Sequence, residues 1–105
     1  MKLIFAIVGK SDSHAVQDAL TSSGFSVTRL STTGGFLKAG NVTFLIGVEN
    51  DKVNAAVDII RKYCSKRTQA MPDTSVYGDY PSMPIEVTVG GATIFVLDVE
   101  RFEKL

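Results

Sequence analysis

The sequence holds little of what metal, redox and hydrolytic chemistry requires. Its one cysteine, Cys64, excludes a disulfide framework and a cysteine-based zinc site. Its one histidine, His14, excludes an HExxH pair, and no Cys/His dyad stands at useful spacing. Charge of one sign is not in excess: eleven basic residues balance eleven acidic ones. A general DNA or RNA binder carries a basic footprint that this chain lacks, and adhesion to an anionic membrane loses its driving force for the same reason. Long apolar runs are missing too. The longest, Leu3–Val8, falls far short of the ~20 residues that span a bilayer. It starts too early for a charged leader and reads as a strand, so a cytoplasmic location without membrane insertion is expected.

What is present is an ordinary globular composition. The chain has 105 residues, 45% hydrophobic and 21% charged. That length predicts a single domain over 1–105, burying roughly two thirds of its unfolded surface.

Leu3–Val8 is apolar at every position and suits a strand buried on both faces. Ser11-Asp12-Ser13 offer N-cap side chains for a first helix, in which Val16, Ala19 and Leu20 recur at helical spacing and Gly24 supplies the stop. Phe25–Thr33 reads as a second strand. Asn41–Glu49 reads as a third, with Val42, Phe44, Ile46 and Val48 on one face. Asn50-Asp51 then cap a second helix striped by Val53, Ala56, Val57 and Ile60. From Ser65 to Pro84 no period is visible, and this stretch holds all three prolines; a long loop at about 65–84 is expected. Ile85–Val89 and Ala92–Val99 flank Gly90-Gly91, the signature of a hairpin.

The order β-α-β-β-α-β-β predicts an α+β, ferredoxin-like fold with an added C-terminal hairpin strand. Two helices cover one face of such a sheet. The other face does not read as polar: the first strand is apolar on both sides (Leu3, Phe5, Ile7 against Ile4, Ala6, Val8), the last nearly so (Ile94, Val96 against Phe95, Leu97, Val99), and the third carries Leu45 opposite the Phe44 face. That other face is expected to be buried either against other subunits, the favoured reading, or under the long loop.

The unusual segment is Thr32–Asn41, with glycines at Gly34, Gly35 and Gly40 and an aromatic, Phe36, between them. Gly35 to Gly40 has the spacing of part of a phosphate loop. Asn41 stands where the lysine must be, and a strand follows instead of a helix, which excludes a nucleoside triphosphatase. Two readings remain. Phe36 either packs locally in a glycine-bearing turn or offers a ring on which a purine stacks. Thr28 and Asn41 offer donors and acceptors to a base edge or a phosphate.

The run TTGGFLKAGNVTFLIGV (Thr32–Val48), the opening MKLIFAIV and the late VTVGGATIFVLDVERF (Val87–Phe102) resemble the cyclic-di-AMP receptor family of the PII-like superfamily, the PstA/DarA type. The resemblance covers nearly everything outside the long loop. It implies a PII-like, ferredoxin-like homotrimer that binds the dinucleotide cyclic di-AMP between neighbouring subunits, with no catalytic residues, no metal and no cofactor. It implies ligand contacts at Thr28, Gly35, Phe36, Leu37, Asn41 and Gly47: adenine on Phe36, hydrogen bonds from Thr28 and Asn41, and backbone contacts from the glycine turn. It also implies a signal-transduction role in which the long loop rearranges on binding and an unidentified protein partner reads it. The sequence departs from that family in several places. Gly24 and Ser26 stand where the family usually has Asn and Arg, and Gly9-Lys10 replaces a Gln-Asp pair. The alternative reading is therefore a PII-like sensor of ATP or another nucleotide, or a member that has lost cyclic-di-AMP binding.

Other residues read as structural. His14 suits a solvated helix start and Cys64 a buried, inert thiol. Arg61, Lys62, Lys66 and Arg67 suit a solvated helix end; the other reading is guidance of an anionic ligand or partner. Asp98, Glu100 and Glu103 have no acid–base partner. A ferredoxin-like RNA-binding module would need aromatics that Asn41–Val48 lacks beyond Phe44, and an acylphosphatase-like loop would need an arginine that Gly9-Lys10-Ser11 lacks.

Overall fold

The structure is a computed structural model that describes residues 1–30, 40–71 and 85–105. Its elements are β1 (Lys2–Gly9), α1 (Lys10–Ser22), β2 (Ser26–Leu30), β3 (Asn41–Val48), α2 (Val53–Cys64), β4 (Arg67–Met71), β5 (Ile85–Val89) and β6 (Ala92–Asp98). Four strands form one antiparallel sheet in the order β2-β3-β1-β6. That is the ferredoxin-like order, with β6 as its fourth strand.

Both helices pack on one face of this sheet. The alternation of β1 and β3 supplies the floor, as Ile4, Ala6 and Val8 meet Phe44 and Ile46. Val16 and Leu20 from α1, and Ala56, Ile60 and Cys64 from α2, close over them. Phe44 is the largest side chain fully removed from water.

The helix starts differ from the sequence reading. Ser11, Asp12 and Ser13 lie inside the first turn of α1, and the cap position is Gly9, with no capping side chain. Ser13 Oγ instead donates to the Lys10 carbonyl at 2.8 Å. Asn50 and Asp51 likewise do not cap α2. They belong to a 3-10 turn, Asn50–Lys52, in which the Lys52 N–H meets the Glu49 carbonyl at 2.9 Å. The stop of α1 is as expected: Gly24 has φ +91° and lets the Phe25 N–H reach back to the Leu20 carbonyl, 3.0 Å away.

The second half differs more. Ile85–Val89 and Ala92–Asp98 do not pair with each other across Gly90-Gly91. β5 pairs with β4 in a separate two-stranded sheet, while β6 pairs with β1. The extra hairpin is thus inserted before the last strand rather than added at the C-terminal end. The glycines serve close approach. A Cβ at Gly90 would fall 2.5 Å from the Ser65 carbonyl oxygen, and one at Gly91 would fall 3.1 Å from the Lys66 stem. The expected loop over 65–84 contains β4, and its residues 72–84 lie outside the described ones.

Candidate functional site

Opposed residues of an antiparallel ladder share a face, so the register gives the open side of the sheet row by row. Ser26 opposes Gly47, which shares its row with Leu3 and Leu97. The next row is Thr28, Leu45, Phe5 and Phe95. Leu30, Thr43, Ile7 and Thr93 follow. The middle of this face is apolar, and Phe95 and Leu97 are 55% and 45% exposed.

Thr28, Asn41 and Gly47 all fall on the open face and are exposed. Thr28 and Gly47 lie in adjacent rows. Asn41 stands at the other end of β3, about 20 Å from Gly47 at ~3.3 Å per residue. Gly35, Phe36 and Leu37 lie outside the described residues, and the segment carrying them rejoins the fold at Gly40, beside Asn41.

Each end of β3 adjoins a cavity. At the Gly47 end a cavity of about 610 Å³ is lined by Gly24, Phe25, Ser26, Gly47, Glu49 and Lys52, among others. The small residues at 24, 26 and 47 leave it open, and Met1 also lines it. At the Asn41 end a cavity of about 480 Å³ is lined by Gly9, Lys10, Ser11, Asn41, Lys66 and Gly91, among others. The Lys10 N–H donates to the Gly40 carbonyl at 2.6 Å, which ties the start of α1 to the start of β3. Ser26, Lys52 and Lys10 carry no motif of their own and do not read as ligand contacts in the sequence; Lys66 reads there only as part of the basic cluster with Arg61, Lys62 and Arg67.

Several other charged residues are paired with one another. Arg67 holds the buried Asp12 carboxylate at 2.8 Å, and Arg61 meets Asp58 at 2.7 Å. Arg67 thereby keeps its guanidinium pKa above its usual value. His14 is exposed, 3.3 Å from Asp18. Asp98 pairs with Lys2, which holds its carboxyl below the usual range, and Glu103 pairs with Arg101 at 2.6 Å. The C-terminal carboxylates therefore serve different cations. Cys64 is buried, and burial first, the Asp12 charge second, push its thiol up to about 11. Among the described residues no group of His, Cys, Asp and Glu is placed to hold a metal ion.

A family model described as the cyclic-di-AMP receptor matches residues 1–105. The chain belongs to the cyclic-di-AMP receptor family. Its fold is also that of a protein of unknown function from Pediococcus pentosaceus ATCC 25745, known from a crystal structure. The likeness has a TM-score of 0.80 at 40% identity, over 99% of this chain and 96% of that one. That family is one of receptors for a dinucleotide, which implies a signalling role. Among the described residues no helix is long and apolar enough to cross a membrane.

Proposed function

We propose that this receptor is a single-domain, cytoplasmic PII-like protein that forms a homotrimer and binds cyclic di-AMP between neighbouring subunits. The observation that carries the proposal is the separation of Gly47 and Thr28 from Asn41 along β3. One dinucleotide does not reach both ends within one chain, but it reaches the Gly47 end of one protomer and the Asn41 end of the next. An interface joining unlike ends is heterologous and closes into a ring. The apolar open face, with Phe5, Leu45, Phe95 and Leu97, supplies the surface that such an assembly buries. β6 is in addition an edge strand with exposed apolar residues on both faces, Val96 and Leu97 among them, which subunit contact would protect.

In this arrangement Thr28, Gly47 and Asn41 contact the ligand, together with Gly35, Phe36 and Leu37 of the glycine turn. The signal leaves through residues 65–84, whose order changes on binding and is read by a protein partner. Lys66, at the base of that segment, lines the Asn41 cavity, so occupancy there is felt where the segment begins. Calorimetric titration with cyclic di-AMP, cyclic di-GMP and ATP, with light scattering on the same samples, tests the reading. Binding of cyclic di-AMP by a trimer supports it. A monomer, or a preference for ATP, hands the function to the alternative of a PII-like sensor of another nucleotide.

A further inference from the structure

The two cavities differ in charge, and that difference says which end of the site meets the phosphates. The Gly47 cavity has Met1, Lys52 and the carboxylate of Glu49 on its wall. The Asn41 cavity has Lys10 and Lys66 on its wall, and no acidic side chain among the described residues lines it. The two lysines come from different elements, the start of α1 and the link between α2 and β4. Neither ammonium has a carboxylate within ion-pair distance among the described residues, whereas the neighbouring Asp12 and Arg67 hold each other.

The local structure is arranged around Lys66. Arg67 is turned to Asp12 and the Ser65 carbonyl, and the extended backbone here puts adjacent side chains on opposite sides. Lys66 is thereby directed away from that pair, and its stem lies across Gly91, where a Cβ would fall 3.1 Å from Cγ and 3.3 Å from Cε. Gly91, at φ +86°, makes the passage possible.

We propose that Lys10 and Lys66 are the phosphate-binding cations of the dinucleotide site in this protein. They do from the Asn41 end what an arginine at position 26 would do from the other. The inference rests on the proposed binding of cyclic di-AMP. Two phosphodiesters carry two negative charges, and two unpaired ammonium groups on one wall match them. The cavity beside Gly47, where the Glu49 carboxylate stands, is left for a base.

The test is calorimetry on the intact protein with cyclic di-AMP at low and at physiological salt. The variants are Lys10→Gln, Lys66→Gln, their double, Lys66→Arg and Lys62→Gln, the last a lysine outside the cavity. Each glutamine variant at position 10 or 66 should weaken binding, and the double should weaken it by roughly tenfold or more and flatten the salt dependence. Lys66→Arg should keep most of the affinity, and Lys62→Gln all of it. A double variant with wild-type affinity and wild-type salt dependence overturns the assignment while leaving cyclic-di-AMP binding in place. A wild-type protein that does not bind cyclic di-AMP overturns the reading beneath it, and the assignment with it.

Discussion

Asp12 and Arg67 meet in a two-point ion pair, Nη2 to Oδ1 at 2.8 Å and Nη1 to Oδ2 at 3.4 Å, that joins the first turn of α1 to the start of β4. The Asp12 side chain is 9% exposed and that of Arg67 46%. Loss of the arginine leaves a carboxylate largely shut off from water. Breaking a fully buried pair costs several kcal/mol, and water reaching the half-exposed arginine reduces this. Arg67→Gln should therefore lower the stability of the protein and its urea midpoint. Urea unfolding of the variant checks this, and an unchanged midpoint would show that the pair contributes nothing net.

Burial, more than the charges of that pair, sets the behaviour of Cys64. Its folded pKa of about 11 lies above the free value of 9.0, because burial and the Asp12 charge disfavour the thiolate. A raised acid pKa means that the folded state holds its proton longer than the unfolded state. Stability is then full below about pH 9 and falls as pH rises towards 11, by about 1–2 kcal/mol. Unfolding midpoints at pH 8 and pH 10.5 should show the fall, and Cys64→Ala should reduce it. An alkylating reagent should also leave the folded thiol untouched at pH 8.

Phe36 falls in the glycine turn, for which a stacked adenine is the proposed partner. Phe36→Ala should weaken cyclic-di-AMP binding by ~1–3 kcal/mol, the usual worth of a base–aromatic stack. Unchanged affinity in a variant that still assembles would return the ring to local packing.

Where burial writes a pattern, the fold was legible in the residues. Val42, Phe44, Ile46 and Val48 alternate because one face of β3 is sealed by two helices, and the helical stripes mark the faces that seal it. β4 was not legible. A two-stranded ribbon is held by its backbone ladder, so Arg67–Met71 needs no apolar period to be a strand. Gly90-Gly91 misled for a related reason. Positive φ at both positions suits a tight hairpin, but here the glycines admit Ser65 and Lys66 where the chain passes from one sheet to the other. Of the candidate site, the faces of Thr28, Asn41 and Gly47 follow from strand period. The separation between Asn41 and the other two follows only once β3 is known to run unbroken between them.

Leu45 is half-buried in the centre of the open face, registered opposite both Phe5 and Thr28. A glutamate there adds a charge to a surface that assembly removes from water, without entering the core beneath the helices. Leu45→Glu should lower the mass seen by light scattering to that of the monomer and abolish ligand binding, since the proposed site needs two protomers. A trimer that survives this change would place the subunit contact elsewhere.

Ser26 opposes Gly47 on the open face and lines the cavity at that end. The receptor family commonly has arginine here, which can meet a phosphate through a charge-assisted, two-point bond; serine offers one neutral hydroxyl. Arg29 does not compensate, because its strand position points to the face opposite Thr28. A charged hydrogen bond contributes roughly 1.5–3 kcal/mol where a neutral one contributes about 1, so Ser26→Arg should tighten cyclic-di-AMP binding by about tenfold. Room exists for the longer side chain, since a Cβ built on Gly47 meets nothing within 4 Å. The gain should shrink as salt rises. It should be larger when Lys10 and Lys66 are both glutamine, because a phosphate already paired gains less from a further cation; that difference is the coupling a mutant cycle measures. An affinity unmoved by Ser26→Arg in either background would place the phosphates outside both cavities and favour a different nucleotide as the ligand.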